Sequence, residues 1–181
     1  QAEFLNRIAK LNVPLVGVDS AIVLSYRDEY KEALGDSRGD FHVLTAHEWL
    51  TNQLESNTLQ SAVKNIAKSD RTFEWHLFPH CTESTFMPNS PKEWQHIFAQ
   101  FGQTLKVEKV GCCGMAGVFG HEVQNQTMSK EIYDVSWGKK LQGKDPNYCL
   151  ATGYSCRSQV KRYEKAILKH PVQALLEVLN N

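Results

Sequence analysis

Five cysteines are the residues best suited to chemistry: Cys81, the adjacent pair Cys112 and Cys113, Cys149 and Cys156. The pair lies in "EKVGCCGMAGVFGHE" (108–122), between a strand-like run and a glycine-rich turn. Adjacent cysteines are poorly placed to bond each other, and 181 residues can build a core without disulfide staples. In a chain with no visible secretory signal, grouped cysteines read first as metal ligands or redox groups. Free cysteines also serve as small buried apolar residues. Placement along the chain decides between these readings.

Strand-like and helix-like stretches alternate. Strands are expected at 15–19, 41–46, 73–80, 104–110 and 147–153. Helices are expected at 2–11, 21–34, 47–56, 92–103, 125–142, 157–168 and 171–181, with a polar, helix-prone stretch at 57–70. Such alternation predicts a single three-layer α/β domain over 1–181, a mainly parallel sheet with helices on both faces. Cys81 then follows the strand ending at His80, and Cys112 and Cys113 follow the strand ending at Val110. Cys156 sits at the turn into a helix, while Cys149 lies inside the last strand.

In an open parallel sheet these junctions share the carboxyl ends of the strands, where ligands bind. Helix N-termini there lower a thiol's pKa and favour the metal-binding thiolate. Their backbone N–H groups also suit an anionic cluster with bridging sulfides. Gly114 and Gly117 let the backbone pass close to a bulky group. His80 and His121 each bring an imidazole near the cysteines, as ligand or proton donor. His76, His96 and His170 read as ordinary helix and strand residues, "YRDEY" (26–30) as a helix with solvated charges and an aromatic face, and the four tryptophans mostly as core.

Twenty basic and twenty acidic side chains cancel, which argues against nucleic acid or an anionic membrane as the main partner. No apolar run approaches the ~20 residues of a membrane helix, and the expected location is cytoplasmic. The chain begins at Gln1 in what already reads as mid-helix, so it is expected to be a piece of a longer polypeptide.

The pattern of Cys81, then Cys112-Cys113 with a "GMAG" turn, then a distal cysteine after a strand resembles the cysteine-rich CCG domain. That domain occurs in heterodisulfide reductase subunits, the iron–sulfur subunit of glycolate oxidase and lactate-utilisation proteins. "VPLVGVDSAIVLSYRDEY", "FPHCTE", "GCCGMAGVFGHE" and "GYSCRSQVKR…HPVQALLEVL" resemble the C-terminal portion of large bacterial FAD-linked oxidoreductases of the D-lactate and D-2-hydroxyglutarate dehydrogenase kind. In those proteins an FAD-binding domain, a ferredoxin-like segment and a CCG-type domain are fused. The resemblance implies that a D-2-hydroxy acid reduces FAD and that electrons leave through iron–sulfur centres to an acceptor, which can lie at the inner membrane. This segment would be the distal electron-transfer module, partnered by the other domains of its parent chain.

Carried over by position, Cys81, Cys112, Cys113 and Cys156 match the family's ligands. The motif departs in one place: its usual Cys-x-x-Cys is here Gly153-Tyr154-Ser155-Cys156, and Cys149, earlier and inside a strand, could substitute as a ligand only if that strand bends. The chain also carries one such pattern where heterodisulfide reductase subunits carry two. A five-thiolate non-cubane cluster is therefore not expected, whereas four thiolates suffice for a four-iron cluster or a single zinc. Rival functions are a structural zinc site and a metal-free redox thiol at Cys112 or Cys113. With no glycine-rich phosphate loop after its first strand, the segment is not expected to bind FAD or oxidise a substrate alone.

Overall fold

The protein is represented by a computed structural model that describes residues 1–56, 58, 59, 63 and 73–180. Most of the helix-prone stretch 57–70 lies outside the described residues. The chain runs α1 (Ala2–Ala9), β1 (Leu15–Gly17), α2 (Ser20–Arg27), α3 (Glu29–Leu34), β2 (Val43–Thr45), α4 (Ala46–Glu55) and β3 (Glu74–Phe78). It continues through α5 (Cys81–Phe86), α6 (Ser90–Gln100), β4 (Thr104–Val107), α7 (Gln126–Tyr133), β5 (Cys149–Ala151), α8 (Tyr154–Glu164) and α9 (Pro171–Asn180).

The parallel strands form two sheets where one was expected. β3 is central, flanked by β4 and β5, and β1 pairs with β2. The segment after α8 runs between them. Ala151 N–H donates to Lys169 O at 2.9 Å, and the His170 imidazole hydrogen-bonds the Val18 backbone. One hydrogen-bonded bridge at Lys169 is too little to read as a strand, which is why the division was invisible in the sequence.

Strand alternation puts two cores on the two faces of the larger sheet. Trp75, Leu77, Leu105 and Leu150 pack against Trp94, Ile97 and Phe98 of α6 and Ala174 and Leu175 of α9. The 94/97/98 spacing is one helical face. On the opposite side Phe78, Cys149 and Ala151 meet Tyr133 of α7, Trp137 and Val160 of α8. A smaller core joins Ala2, Val23, Phe41 and Val43 beside the second sheet. Three of the four tryptophans, Trp75, Trp94 and Trp137, are core as expected.

Local signals explain the element ends. Asp19 caps α2 through Ala21 and Ile22 N–H, and Thr45 with Glu48 forms a capping box on α4. The helix expected over 21–34 breaks at Asp28, after Arg27 turns to bond the Val43 carbonyl and Glu48. The one expected over 125–142 passes through a π-helical turn at Asp134–Gly138 before ending at Leu141. α5 was not expected; its sequence, CTESTF, is polar and short. Among the described residues no helix is long and apolar enough to cross a membrane.

Candidate metal centre

β3, β4 and β5 are parallel, so their carboxyl ends share one edge. β3 leads through Pro79 to His80 and Cys81, the first residue of α5. β4 leads through residues 108–111 to Cys112 and Cys113. β5 leads through Thr152 and Gly153 to α8, whose first turn holds Cys156. Residues 31 positions apart (Cys81 and Cys112) and 43 apart (Cys113 and Cys156) thereby become neighbours. The Cys81 thiol hydrogen-bonds Cys112, Cys112 bonds Cys113, and Cys113 bonds Cys156; the charge on Cys156 also acts on Cys81.

The four thiols are not electrostatically equivalent. Hydrogen bonds from Cys113 and Cys81 hold the Cys112 thiol far below its ordinary pKa, helped by the Gly114 N–H, 3.3 Å from the sulfur. Cys113 is raised, first by its bond to Cys112, then by that to Cys156 and by burial. Cys81 is raised chiefly by its bond to Cys112. The quartet thus favours one thiolate, at Cys112, with its neighbours as donors.

Helices behind the double-cysteine loop fix its backbone. Gly111 N–H donates to Ser136 Oγ at 2.7 Å, and Trp137 Nε1 donates to Gly111 O at 3.1 Å. Both holders sit in the π-helical turn, a local widening that often accompanies function. Ser129 Oγ bonds Gly114 O, and Gln159 Nε2 reaches both Ser129 Oγ and the Cys113 carbonyl. Gly114 has φ +82°, and a Cβ there would meet Ser129 O at 2.1 Å, so no other residue fits. Ser129 and Ser136 escaped the sequence reading, since each falls within a helix-like stretch and carries no motif; Trp137 was expected only as core, and Gln159 stood in the "GYSCRSQVKR" stretch without a role of its own.

The other candidates separate. Cys149 is fully buried in β5 opposite His76, and burial pushes its thiol up to about 11; none of the groups acting on it is another cysteine. His121 is exposed, and Gly117 turns with φ +65° into open space. His80 is buried at the edge itself: its N–H donates to Thr152 Oγ1 at 2.9 Å, and its Nε2 lies 3.4 Å from Ser155 Oγ. His76 pairs with Glu108 at 2.9 Å, and His170 is buried beneath α9, where it caps Val172 N–H.

Four clustered thiols are the donor chemistry of zinc and iron–sulfur centres. They form a hydrogen-bonded string: among the described residues no group of three or more His, Cys, Asp or Glu is already arranged to hold a metal ion. Metal binding displaces thiol protons, and the S–H···S bonds are those it would replace.

Comparison with curated proteins finds homologues that are large dehydrogenases, and this chain corresponds to part of such a protein. The relatives are named D-2-hydroxyglutarate dehydrogenase. That of Haemophilus influenzae is 80% identical over 179 residues, which is 99% of this chain and 17% of the relative. That of Escherichia coli is 53% identical over 178 residues, 98% of this chain and 17% of the relative. That of Pseudomonas putida is 41% identical over 173 residues, 96% and 16% respectively. The chain therefore spans about a sixth of the length of the relatives it matches. No family model and no solved structure matches it.

Proposed function

We propose that this chain is the electron-transfer module of a D-2-hydroxyglutarate dehydrogenase, with Cys81, Cys112, Cys113 and Cys156 holding an iron–sulfur centre. The observation that carries this reading is the meeting of these four thiols at the carboxyl edge of one parallel sheet. Bound there, such a centre accepts and releases single electrons. Cys112 supplies the first thiolate, and the Gly114 N–H remains to bond its sulfur. α7 and α8 hold the backbone of the loop behind the thiols.

Val118, Val123, Tyr154 and Phe86 are exposed apolar side chains close in sequence to the site cysteines. They support a surface that meets the flavin-binding and ferredoxin-like parts of the parent chain. The module works in the cytoplasm, where thiols stay reduced, passing electrons from flavin to an acceptor. A single zinc ion, for which four thiolates suffice, is the second reading.

The test is iron, acid-labile sulfide and zinc per chain in the full-length protein purified without oxygen, compared with Cys112→Ser. Iron and sulfide lost together in the variant support the electron-transfer reading. Loss of zinc alone supports the second reading. Equal metal content in both proteins overturns the metal site.

A further inference from the structure

Two consecutive peptide units follow the cysteine pair, and each is held at both ends. In the first, Gly114 N–H donates to Cys112 Sγ at 3.3 Å, and the carbonyl of the same unit, Cys113 O, accepts from Gln159 Nε2 at 3.0 Å. In the second, Met115 N–H bonds the Cys113 sulfur, and the carbonyl, Gly114 O, accepts from Ser129 Oγ at 2.7 Å. Both units are trans, so each is a rigid plane with its N–H and C=O on opposite edges. Gripping the oxygen from behind therefore aims the N–H forward, at sulfur. A bond accepted by the carbonyl also polarises the unit and strengthens its N–H as a donor.

Gln159 and Ser129 are both fully buried and act as one device. Ser129 has a single hydroxyl proton, donated to Gly114 O, so its oxygen must accept from Gln159 Nε2 at 2.8 Å. That requirement turns the amide NH2 towards Ser129 and Cys113. It leaves Gln159 Oε1 buried with no hydrogen-bond partner among the described residues. Such an orphan calls for an explanation, and here it is that both neighbours on the other side of the amide are acceptors. Gln159 also lies one helical turn beyond Cys156 on α8. The helix that supplies one thiol thus steadies the peptides behind two others.

We propose that Gln159, with Ser129, is a positioning residue that sets the reduction potential of the centre by holding two peptide N–H groups against the sulfurs of Cys112 and Cys113. This rests on the iron–sulfur reading above. Hydrogen bonds to the sulfurs are among the determinants of such a potential. One added electron places more negative charge on the sulfurs, so the two N–H donors favour the reduced form and raise the potential. No bond to hydrogen breaks: both protons stay on their peptide nitrogens. The electron comes from flavin in the parent chain, or from a chemical reductant in a titration.

The experiment is a redox titration of the full-length protein, purified without oxygen and followed by EPR on the signal that Cys112→Ser abolishes. Gln159→Met, close in volume but without a donor, is expected to keep its iron and that signal. Its equilibrium constant for reduction falls about tenfold, which for one electron is about 59 mV towards negative potential. Ser129→Ala shifts the potential in the same direction, and decides the question if Gln159→Met does not fold. Ser136→Ala releases Gly111, outside both peptide units, and shifts it less than either. An unchanged potential in Gln159→Met, an equal shift in Ser136→Ala, or loss of the signal from both Gln159→Met and Ser129→Ala overturns the positioning role and spares the cluster. Iron and EPR signals that all survive Cys112→Ser overturn the cluster and this inference together.

Discussion

Asp19 accepts the Tyr154 N–H at 2.7 Å across 135 residues of chain, while its other oxygen takes the Ala21 and Ile22 N–H groups. One carboxylate thus caps α2 and α8, and ties the smaller sheet to the turn that carries Cys156.

Asp19→Ala leaves both helix starts without their acceptor. The expected loss is about 1 to 3 kcal/mol of unfolding free energy. Asp19→Asn, which keeps one good acceptor, loses less. Urea denaturation of the two variants against the parent checks the order. Hydrogen exchange at the start of α8 should quicken in both.

Gly114→Ala forces a Cβ into the Ser129 carbonyl from a left-handed backbone. The expected cost is about 3 to 5 kcal/mol. Gly117→Ala has the same backbone handedness but open space, so its cost is about 1 kcal/mol. Thermal melts of the two single variants should therefore differ widely, although the glycines stand three residues apart.

In metal-free protein the thiols should alkylate in a fixed order. Cys112 is half-buried and held as a thiolate by Cys113 and Cys81, so its rate should be flat from mildly acidic to neutral pH. Cys149, fully buried and pushed up to about 11, should react only on unfolding. Timed iodoacetamide labelling with peptide mass spectrometry gives the order directly. Cys149 reacting as fast as Cys112 would show that the electrostatic inequality is wrong.

Burial lowers the His170 imidazole to about 3, against roughly 6.5 in an unfolded chain. Between these values the unfolded chain binds a proton that the folded chain refuses, so stability falls as pH drops through the window. From pH about 6.5 to about 5 the loss is about 2 kcal/mol. His47, also lowered mainly by burial, acts in the same direction. His170→Asn can still accept the Val172 N–H as a cap, and should flatten the dependence of urea midpoints on pH.

Much of the site was legible because its chemistry and its topology both leave marks in the sequence. Cys81, Cys112-Cys113 and Cys156 follow strand-like runs, and parallel strands bring such positions together. The closeness of the His80 ring to Gly153, where an added Cβ would lie 2.3 Å from His80 Cδ2, left no mark. It depends on how two loops approach in space, and a glycine with an ordinary backbone angle looks the same as any other. The buried His47, 3.2 Å from Glu93 and packed beside Glu83, was equally silent. Its polar neighbours come from α5 and α6, and nothing local announces that His47 and Glu83 share the interior with Glu93 at its margin. Among the elements, long amphipathic helices such as α6 were plain, whereas three-residue strands had blurred ends.

β3 sits between β4 and β5, and all three point the same way. This makes the chain unequal in its tolerance of insertions and deletions. The largely exposed segment 142–147, which feeds the amino end of β5, can change length without moving a donor. The exits cannot. One residue gained or lost between Phe78 and Cys81, or between Ala151 and Cys156, displaces a sulfur by about 3.3 Å and turns it to the other face. Length variation among related chains should therefore gather at one end of the sheet and be almost absent from the other.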